Sequence, residues 1–244
     1  ITQEPLQKLD STGLATLAQN IASLLSSMHA NDSLALSTEV QLDCDWTVNT
    51  KTQYFFLLNE LKKQPFFQAK TVSATIRLHQ LKFISQNGVP PVDKGLLMCY
   101  NMGNLRHPQT KNSIIEEAEL KKYINNLEKY PLPLDIALPI FDWYILFEGE
   151  QYNGLVRDFQ PGEKDAGKSR IEFLQDTVIN GYSFKAGQWL RYETSDAEVV
   201  QACAERISKK LGSKEVTVIL YHLNEKHLSK YSQHELENFY SSFR

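Results

Sequence analysis

Two carboxylates, Asp43 and Asp45, stand two residues apart where a run of β-forming residues turns polar, in the stretch EVQLDCDWT. Because side chains alternate between the faces of a strand, Gln41, Asp43, Asp45 and Thr47 are predicted to share one face. The apolar residues between them are predicted to pack on the other face. Carboxylates facing the interior of a barrel cost desolvation energy unless they have partners or a function. Asp45 and Asp43 are therefore the candidate catalytic residues.

Further polar and aromatic residues stand where other predicted strands end. The side chains predicted to contact a substrate are Gln41, Arg77, His79, Tyr100, Asn101, Asp142, Trp143 and Tyr221. The carboxyl ends of parallel strands open onto one mouth in an α/β fold. Rings that stack on sugars, together with carboxylates that accept from hydroxyls or act as acid and base, favour an oligosaccharide or other glycan as the partner. The alternatives are structural: Asp43 as an ion-pair partner of Arg77, His79 as a satisfied structural group, and Trp143, like Trp46, as a packing residue.

Alternating strand-like and helix-like segments must position these residues. Helical spacing of apolar residues predicts helices over 11–29, 52–63, 114–130, 195–210 and 228–244. Runs of β-forming residues predict strands over 34–46, 71–81, 95–102, 134–141 and 216–223. Strands that alternate with helices indicate βα units around a parallel sheet, and hence an α/β fold.

The predicted architecture is a single TIM-barrel-like domain over residues 1–244. A (β/α)8 barrel needs eight strands, and five are counted, so the first strands are expected to precede Ile1. A shorter open α/β sheet is the alternative. The segment from about 142 to 190 is rich in glycine and aromatic residues, which predicts an inserted lobe of short antiparallel strands and loops.

Composition narrows the classes of partner. Charged residues make up 23% of the chain with a net charge of −3, so no basic face for nucleic acid is expected. No apolar run approaches the ~20 residues of a membrane span. The three cysteines are widely spaced and two fall in apolar runs, which indicates buried structural thiols. No metal-ligand spacing, P-loop or GxGxxG motif occurs, so neither a metal nor a cofactor is predicted.

The stretch from Asp43 to Thr47 resembles the D-x-x-D-x-D-x-E motif of glycoside hydrolase family 18, the chitinase-like barrels. GLLMCYNMG is similar to that family's M-x-Y-D strand, with Tyr100 at the tyrosine and Asn101 where aspartate is usual. LDIALPIFDW is similar to the strand that precedes the family's inserted α+β lobe. The resemblance implies a divergent bacterial branch of the superfamily, and it favours a periplasmic or secreted location.

The family's catalytic glutamate is replaced by Thr47, and the motif's first aspartate by Val40. A threonine hydroxyl is not acidic enough to protonate a glycosidic oxygen. A glycoside hydrolase would then need its acid from Asp142, Glu193 or Asp45, with Asp43 raising the pKa of Asp45 by repulsion. The alternatives are a catalytically inactive carbohydrate-binding barrel and an interaction scaffold with a closed mouth.

Overall fold

The structure is a computed structural model that describes residues 1–30, 37–157, 159–212 and 214–244. The chain forms two compact units. The first unit comprises Ile1–Met98 and Tyr123–Ile136, and the second comprises Cys99–Lys122 and Ala137–Arg244. The single domain over 1–244 stays a prediction.

The first unit contains a parallel sheet and the helices that precede or connect its strands. Its strands are β1 (Glu39–Leu42), β2 (Thr71–Arg77), β3 (Lys94–Met98) and the first half of β4 (Leu134–Pro139). Its α-helices are α1 (Gln3–Lys8), α2 (Ser11–Ala30), α3 (Lys51–Lys63), α4 (Leu78–Lys82) and α5 (Ile84–Asn87), and 3-10 helices span Pro65–Phe67 and Ile124–Lys129.

Strands in the first unit follow the order β1-β2-β3-β4, and the pairs β1–β2 and β2–β3 are parallel. All five residues of β2 from Val72 to Ile76 are buried, as expected for a parallel strand covered on both faces. Gly95 lies where β3 is most crowded: a Cβ there would lie 2.8 Å from Ile76 Cγ1 and 2.9 Å from Leu134 Cδ2. Strand β3 can pack against Ile76 and Leu134 at this point because residue 95 has no side chain.

Helix α3 shows why the apolar spacing predicts a helix over 52–63. Tyr54, Leu57, Leu58 and Leu61 recur at intervals of three and four, and all are buried. This stripe faces the rest of the first unit, where α3 packs on α2. The segment therefore follows the predicted strand–helix–strand order.

The described residues of the second unit form an antiparallel sheet, a hairpin and four α-helices. Its strands are the second half of β4, β5 (Asp142–Glu148), β6 (Gln151–Val156), β7 (Arg170–Glu172), β8 (Thr177–Ile179), β9 (Tyr182–Phe184), β10 (Gln188–Thr194) and β11 (Val218–Tyr221). Its helices are α6 (Glu117–Lys121), α7 (Ala197–Leu211), α8 (Glu225–Leu228), α9 (Gln233–Ser241) and a 3-10 helix at Glu163–Asp165.

Residues 142–194 hold the antiparallel strands expected of the glycine-rich segment. Their sheet has the order β6-β5-β10-β7, and β8 and β9 form a separate two-stranded sheet. Buried aromatic residues fill the space between them, with Phe173 and Phe184 stacked at a centroid distance of 4.1 Å. In the same unit β11 is the neighbour of β4, and Ile140 N–H donates to the Tyr221 carbonyl at 2.7 Å.

Several element boundaries differ from the sequence predictions. The strand predicted over 34–46 is observed as Glu39–Leu42, and residues 34–36 lie outside the described part of the chain. The helix predicted over 114–130 is shorter: Glu117–Lys121 is α-helical and Ile124–Lys129 is 3-10. The predicted C-terminal helix begins late, since α9 starts at Gln233 with Ser232 as its cap.

Candidate functional site

A ladder of polar side chains connects the ends of β1 and β2 in the first unit. Three contacts run across it, each between residues 32 positions apart in the chain. Gln41 Nε2 donates to Ser73 Oγ at 3.4 Å, Thr75 Oγ1 to Asp43 Oδ1 at 2.7 Å, and Arg77 Nη1 to Asp45 Oδ2 at 3.0 Å. We call these six residues the polar ladder. In the β1–β2 register, Gln41 pairs with Ser73, an offset of 32 positions. The polar ladder keeps this offset beyond Leu42, the last residue of β1.

The alternation predicted for this segment is present. Gln41, Asp43, Asp45 and Thr47 are exposed, whereas Leu42, Cys44 and Trp46 are buried. Trp46 has no exposed surface, and its Nε1 donates to the Asn87 carbonyl at 3.1 Å. The tryptophan is therefore a packing residue.

The pairing of Asp43 with Arg77, offered as the structural alternative, is wrong. Because the two strands pair with an offset of 32 positions, Thr75 lies opposite Asp43 and Arg77 lies opposite Asp45. The side chains of Asp45 and Arg77 are 52% and 35% exposed, so their ion pair lies in contact with solvent. Asp43 has no ion-pair partner among the described residues.

His79 lies on helix α4 rather than at the end of a strand, which corrects the prediction of a strand over 71–81. The physical reason is Gln80. Its Oε1 accepts from the Arg77 N–H at 2.8 Å and its Nε2 donates to the Trp46 carbonyl at 2.9 Å, which ends the strand and starts the helix. Burial and then the charge of Arg77 lower the pKa of His79, against the influence of Asp45. Gln80 is thus a positioning residue that sequence reasoning missed, since a buried glutamine gives no distinctive pattern.

Thr47 begins the turn that leads into α3. Its N–H donates to Thr50 Oγ1 at 3.0 Å, and the two hydroxyl oxygens lie 3.3 Å apart. Thr50 in turn donates to Gln3 Oε1 at 2.7 Å. At this position of the motif the chain therefore carries a hydroxyl in a hydrogen-bonded turn and no carboxylic acid.

The second unit contains a cleft with a volume of about 290 Å³. We call it the aromatic cleft. It is lined by Asn101, Phe141, Asp142, Trp143, Arg157, Tyr221, His222, Asn224 and His227. Four residues predicted from the sequence as substrate contacts, Asn101, Asp142, Trp143 and Tyr221, thus line one cavity. Arg157, Asn224 and His227 were missed, because they lie in loop or helical segments without a strand pattern.

Aromatic rings form one side of this region. Tyr100 and Tyr221 stack with centroids 5.2 Å apart and planes 9° from parallel, and Phe141 meets both rings edge-on. Tyr221 is 46% exposed, so one ring of the stack is open to solvent. Asn101 follows with a φ of 53°, a left-handed conformation that asparagine adopts more readily than most residues.

Asp142 is nearly enclosed, with a side chain 6% exposed. Its carboxylate forms an ion pair with Lys230, and it accepts from the Tyr192 hydroxyl at 3.3 Å. Lys230 Nζ also donates to that hydroxyl at 3.0 Å, while His227 Nδ1 lies 3.9 Å from Asp142 Oδ2. Asp142, which lines the cleft, therefore belongs to a network of polar side chains.

Glu193 is fully enclosed in another network. Its side chain has no exposed surface, and its oxygens accept from Ser113 Oγ at 2.5 Å, Trp143 Nε1 at 2.8 Å and Arg191 Nε at 2.9 Å. Burial lowers the pKa of Arg191, an effect that Glu193 opposes. The guanidinium also donates to the backbone carbonyls of Leu105, His107 and Pro108. Trp143 is thus held by Glu193, and the whole network fixes the loop that follows β3.

A larger groove, of about 560 Å³, lies beside β7 and β10 in the same unit. Trp189 lines it, but the Arg170 guanidinium lies 3.8 Å from the centre of the tryptophan ring and covers one face. Phe147 stacks on this ring at 4.5 Å. The groove therefore offers less free aromatic surface than the aromatic cleft.

The chain shows no preformed metal or thiol chemistry in the part that the structure describes. No group of three or more His, Cys, Asp or Glu side chains is arranged to hold a metal ion there. All three cysteines are buried and free, and burial raises the pKa of Cys44 to about 11 and that of Cys203 to about 12. Within the same residues, no helix combines the length and apolar character that a membrane span requires.

No protein-family model and no curated protein matches the sequence. Solved structures do match. The chitinase-like agglutinin of Robinia pseudoacacia is 13% identical with a TM-score of 0.52, over 96% of this chain and 77% of the agglutinin. Catalytic domain 2 of the Ostrinia furnacalis Group II chitinase is 12% identical with a TM-score of 0.57, over 96% and 73%. The GH18 chitinase of Cycas revoluta, solved in complex with (GlcNAc)3, is 12% identical with a TM-score of 0.54, over 96% and 74%.

These solved structures share an architecture with this chain, but their sequence identity to it is too low for an activity to be inferred. The bacterial origin and the location stay predictions. What the similarity establishes is the fold, and it agrees with the parallel sheet followed by an antiparallel segment. The chain has a TIM-barrel-like α/β fold, which is similar to the folds of solved chitinases, the GH18 chitinase of Cycas revoluta among them.

Proposed function

We propose that this protein binds a glycan without cleaving it. The observation that carries the proposal is that each carboxylate considered as the missing acid forms an ion pair. Asp45 pairs with Arg77, Asp142 with Lys230, and Glu193 with Arg191. A cation beside a carboxylate favours its charged form, whereas the acid of a glycosidase must carry the proton that it donates to the leaving oxygen.

Thr47 supports the same conclusion. Family resemblance would require a carboxylic acid at this position, and the threonine hydroxyl is engaged with Thr50 in a turn. A glycosidase of the usual kind needs two carboxyl groups, of which one is protonated before the reaction. The three carboxylates named as replacements for the missing glutamate, Asp45, Asp142 and Glu193, are each paired with a cation.

Two surfaces suit a sugar. In the polar ladder, Asp43 and Asp45 are exposed and retain lone pairs for hydroxyl groups. In the aromatic cleft, the exposed Tyr221 ring, stacked on Tyr100, offers an apolar plane beside the amide of Asn101. Since the Cycas revoluta chitinase was solved with (GlcNAc)3, oligomers of N-acetylglucosamine are the first ligands to test.

The test combines binding with product analysis. Calorimetric titration with N-acetylglucosamine and glucose oligomers of three to five units measures affinity, and chromatography after prolonged incubation detects cleavage. We expect saturable binding without products, and Asp45→Asn should weaken binding about tenfold or less, as for one charge-assisted hydrogen bond. Asp93→Asn is the matched control, because Asp93 is an exposed, ion-paired aspartate just before β3 in the same unit. Release of shorter oligomers by the wild type would overturn the proposal.

A hydrolase remains the second candidate because of Asp43. Its carboxylate accepts one hydrogen bond, from Thr75, and forms no ion pair among the described residues, so it is the candidate acid or base that remains. If products appear, Asp43→Asn should abolish them while Asp45→Asn reduces them. An interaction scaffold with a closed mouth is disfavoured by the open aromatic cleft and by the exposure of Asp43 and Asp45.

A further inference from the structure

The aromatic cleft has an unbalanced charge. Asp142 is the one carboxylate among the described residues that line it, and Lys230 neutralises that charge. The remaining charged group is Arg157, accompanied by the imidazoles of His222 and His227. Among the described residues, once Lys230 is paired with Asp142, Arg157 leaves one uncompensated positive charge at this cleft, even with both histidines neutral.

No contact with another described residue explains why a cation stands at position 157. It follows the last residue of β6, is exposed, and its guanidinium forms no ion pair or hydrogen bond with the residues that the structure describes. Its backbone carbonyl accepts from the Tyr182 hydroxyl at 2.6 Å, which fixes the chain at this point while leaving the side chain unengaged. A guanidinium is a planar fork that binds carboxylate or sulfate groups through two parallel hydrogen bonds.

The other cleft residues complete a sugar site around this cation. Tyr221 presents an exposed ring for stacking. Asn224 uses its side-chain oxygen to accept from the Lys226 N–H at 2.9 Å, so its amide NH2 is the group it can offer to a ligand. Asn101 adds a second exposed amide. Amide donors and an aromatic plane suit the ring and hydroxyls of a saccharide, and Arg157 suits a negative substituent on it.

We propose that the aromatic cleft recognises an acidic saccharide, one that carries a carboxylate or sulfate group bound by Arg157. This inference rests on the proposed glycan-binding function and names its substrate class. It departs from the neutral N-acetylglucosamine oligomer found in the Cycas revoluta structure. Carboxylate and sulfate share the required charge and geometry, so the experiment must distinguish them.

The test is calorimetric titration of the whole chain with three trisaccharides: galacturonic acid trimer, a sulfated trisaccharide and N-acetylglucosamine trimer. At 50 mM salt, at least one acidic trimer should bind about tenfold more tightly than the neutral one, as expected for one charge-assisted contact. At 300 mM salt the advantage should shrink because exposed charges are screened. The acidic trimer with the larger advantage identifies the substituent.

Three variants test whether Arg157 causes the difference in affinity between acidic and neutral trimers. Arg157→Gln should reduce acidic-trimer binding to the level of the neutral trimer, and Arg157→Lys should keep part of the advantage, because the charge remains but the fork is lost. Arg106→Gln, an exposed arginine of the same unit that does not line the cleft, should change nothing. Equal binding of neutral and acidic trimers, or an Arg157→Gln variant that keeps the preference, would overturn the inference but leave glycan binding intact. If no saccharide binds, the proposed function itself fails.

Discussion

The chain uses the same pair of chemical groups in two contrasting ways. In the first unit, Asp45 and Arg77 form an ion pair whose side chains are 52% and 35% exposed. In the second unit, Glu193 and Arg191 form one whose side chains are 0% and 7% exposed. The Glu193 carboxylate accepts three hydrogen bonds, from Ser113, Trp143 and Arg191, whereas the Asp45 carboxylate accepts one, from Arg77.

This difference separates a structural carboxylate from one that a ligand can reach. Removing a partner from a buried ion pair leaves an uncompensated charge in a low dielectric, while the same change at the surface is compensated by water. Glu193 therefore belongs to the scaffold of the second unit, although its sequence position made it a candidate acid. The Asp45 side chain is in contact with solvent, as the proposed contact with a glycan requires.

The largest effect should come from Glu193→Gln. This change keeps the size of the side chain but leaves Arg191 buried without its counter-charge, so the free energy of unfolding should fall by about 3–5 kcal/mol. Urea denaturation followed by tryptophan fluorescence measures the loss, and Trp143, whose indole donates to Glu193, is a local reporter.

The matched control is Glu172→Gln. Glu172 pairs with Arg170 in the same unit, but those side chains are 58% and 53% exposed, so the expected loss is about 0–1 kcal/mol. Comparable losses in the two variants would contradict the distinction between buried and exposed pairs on which the comparison depends.

A second variant tests how tightly the parallel sheet of the first unit, which includes the polar ladder, is packed around Gly95. Gly95→Ala would place a Cβ 2.8 Å from Ile76 and 2.9 Å from Leu134, closer than non-bonded carbons can approach. We expect a loss of about 1–3 kcal/mol from overpacking. Thermal and urea unfolding measure it, with Gly162→Ala as the control, since a Cβ at Gly162 meets no atom within 4 Å. An unchanged midpoint for Gly95→Ala would show that β2 and β4 can separate at this point.

The third variant breaks the exposed ion pair itself. Asp45→Asn should change the free energy of unfolding by no more than about 1 kcal/mol, because the pair lies in contact with solvent. Arg77→Gln should have a similarly small effect, since its backbone N–H bond to Gln80 is independent of its side chain. A loss as large as that of Glu193→Gln in either variant would make the polar ladder a structural element and remove the reason to regard it as a ligand surface.

The sequence predicts the exposed face of the first unit because alternation is a local property of one strand. Gln41, Asp43 and Asp45 could be placed together from their spacing, but their partners could not. The offset of 32 positions that brings Thr75 to Asp43 depends on the length of α3 and the turns around it. His79 was misplaced because the alternating pattern continues past Arg77, whereas the Gln80 side chain ends the strand.

The buried network of the second unit was beyond such reasoning. Ser113 and Trp143 lie 80 and 50 positions from Glu193, and no local pattern connects them. Asp142, Trp143 and Tyr221 could be grouped only through the expectation that strand ends converge. The three residues do line one cavity, although their role as substrate contacts stays a prediction. The expectation could not show that Lys230 forms an ion pair with Asp142.

The smallest expected effect concerns the exposed pair at the other end of β3, Asp93 with Lys62. Partial burial acts to raise the pKa of Asp93. Hydrogen bonds from the Val72 N–H at 2.8 Å and from Lys62 at 3.0 Å outweigh that effect and hold the pKa below its usual value of 3.8. Since the folded-state pKa is depressed, the stabilisation is complete above pH 3.8 and is lost as the pH falls through the lower folded value. Wild type should exceed Asp93→Asn in stability at pH 7 by less than about 1 kcal/mol, after allowance for solvent screening, and by less still at pH 3. Urea unfolding of both proteins at the two pH values measures this difference, and a difference that grows on acidification would reverse the assigned sign.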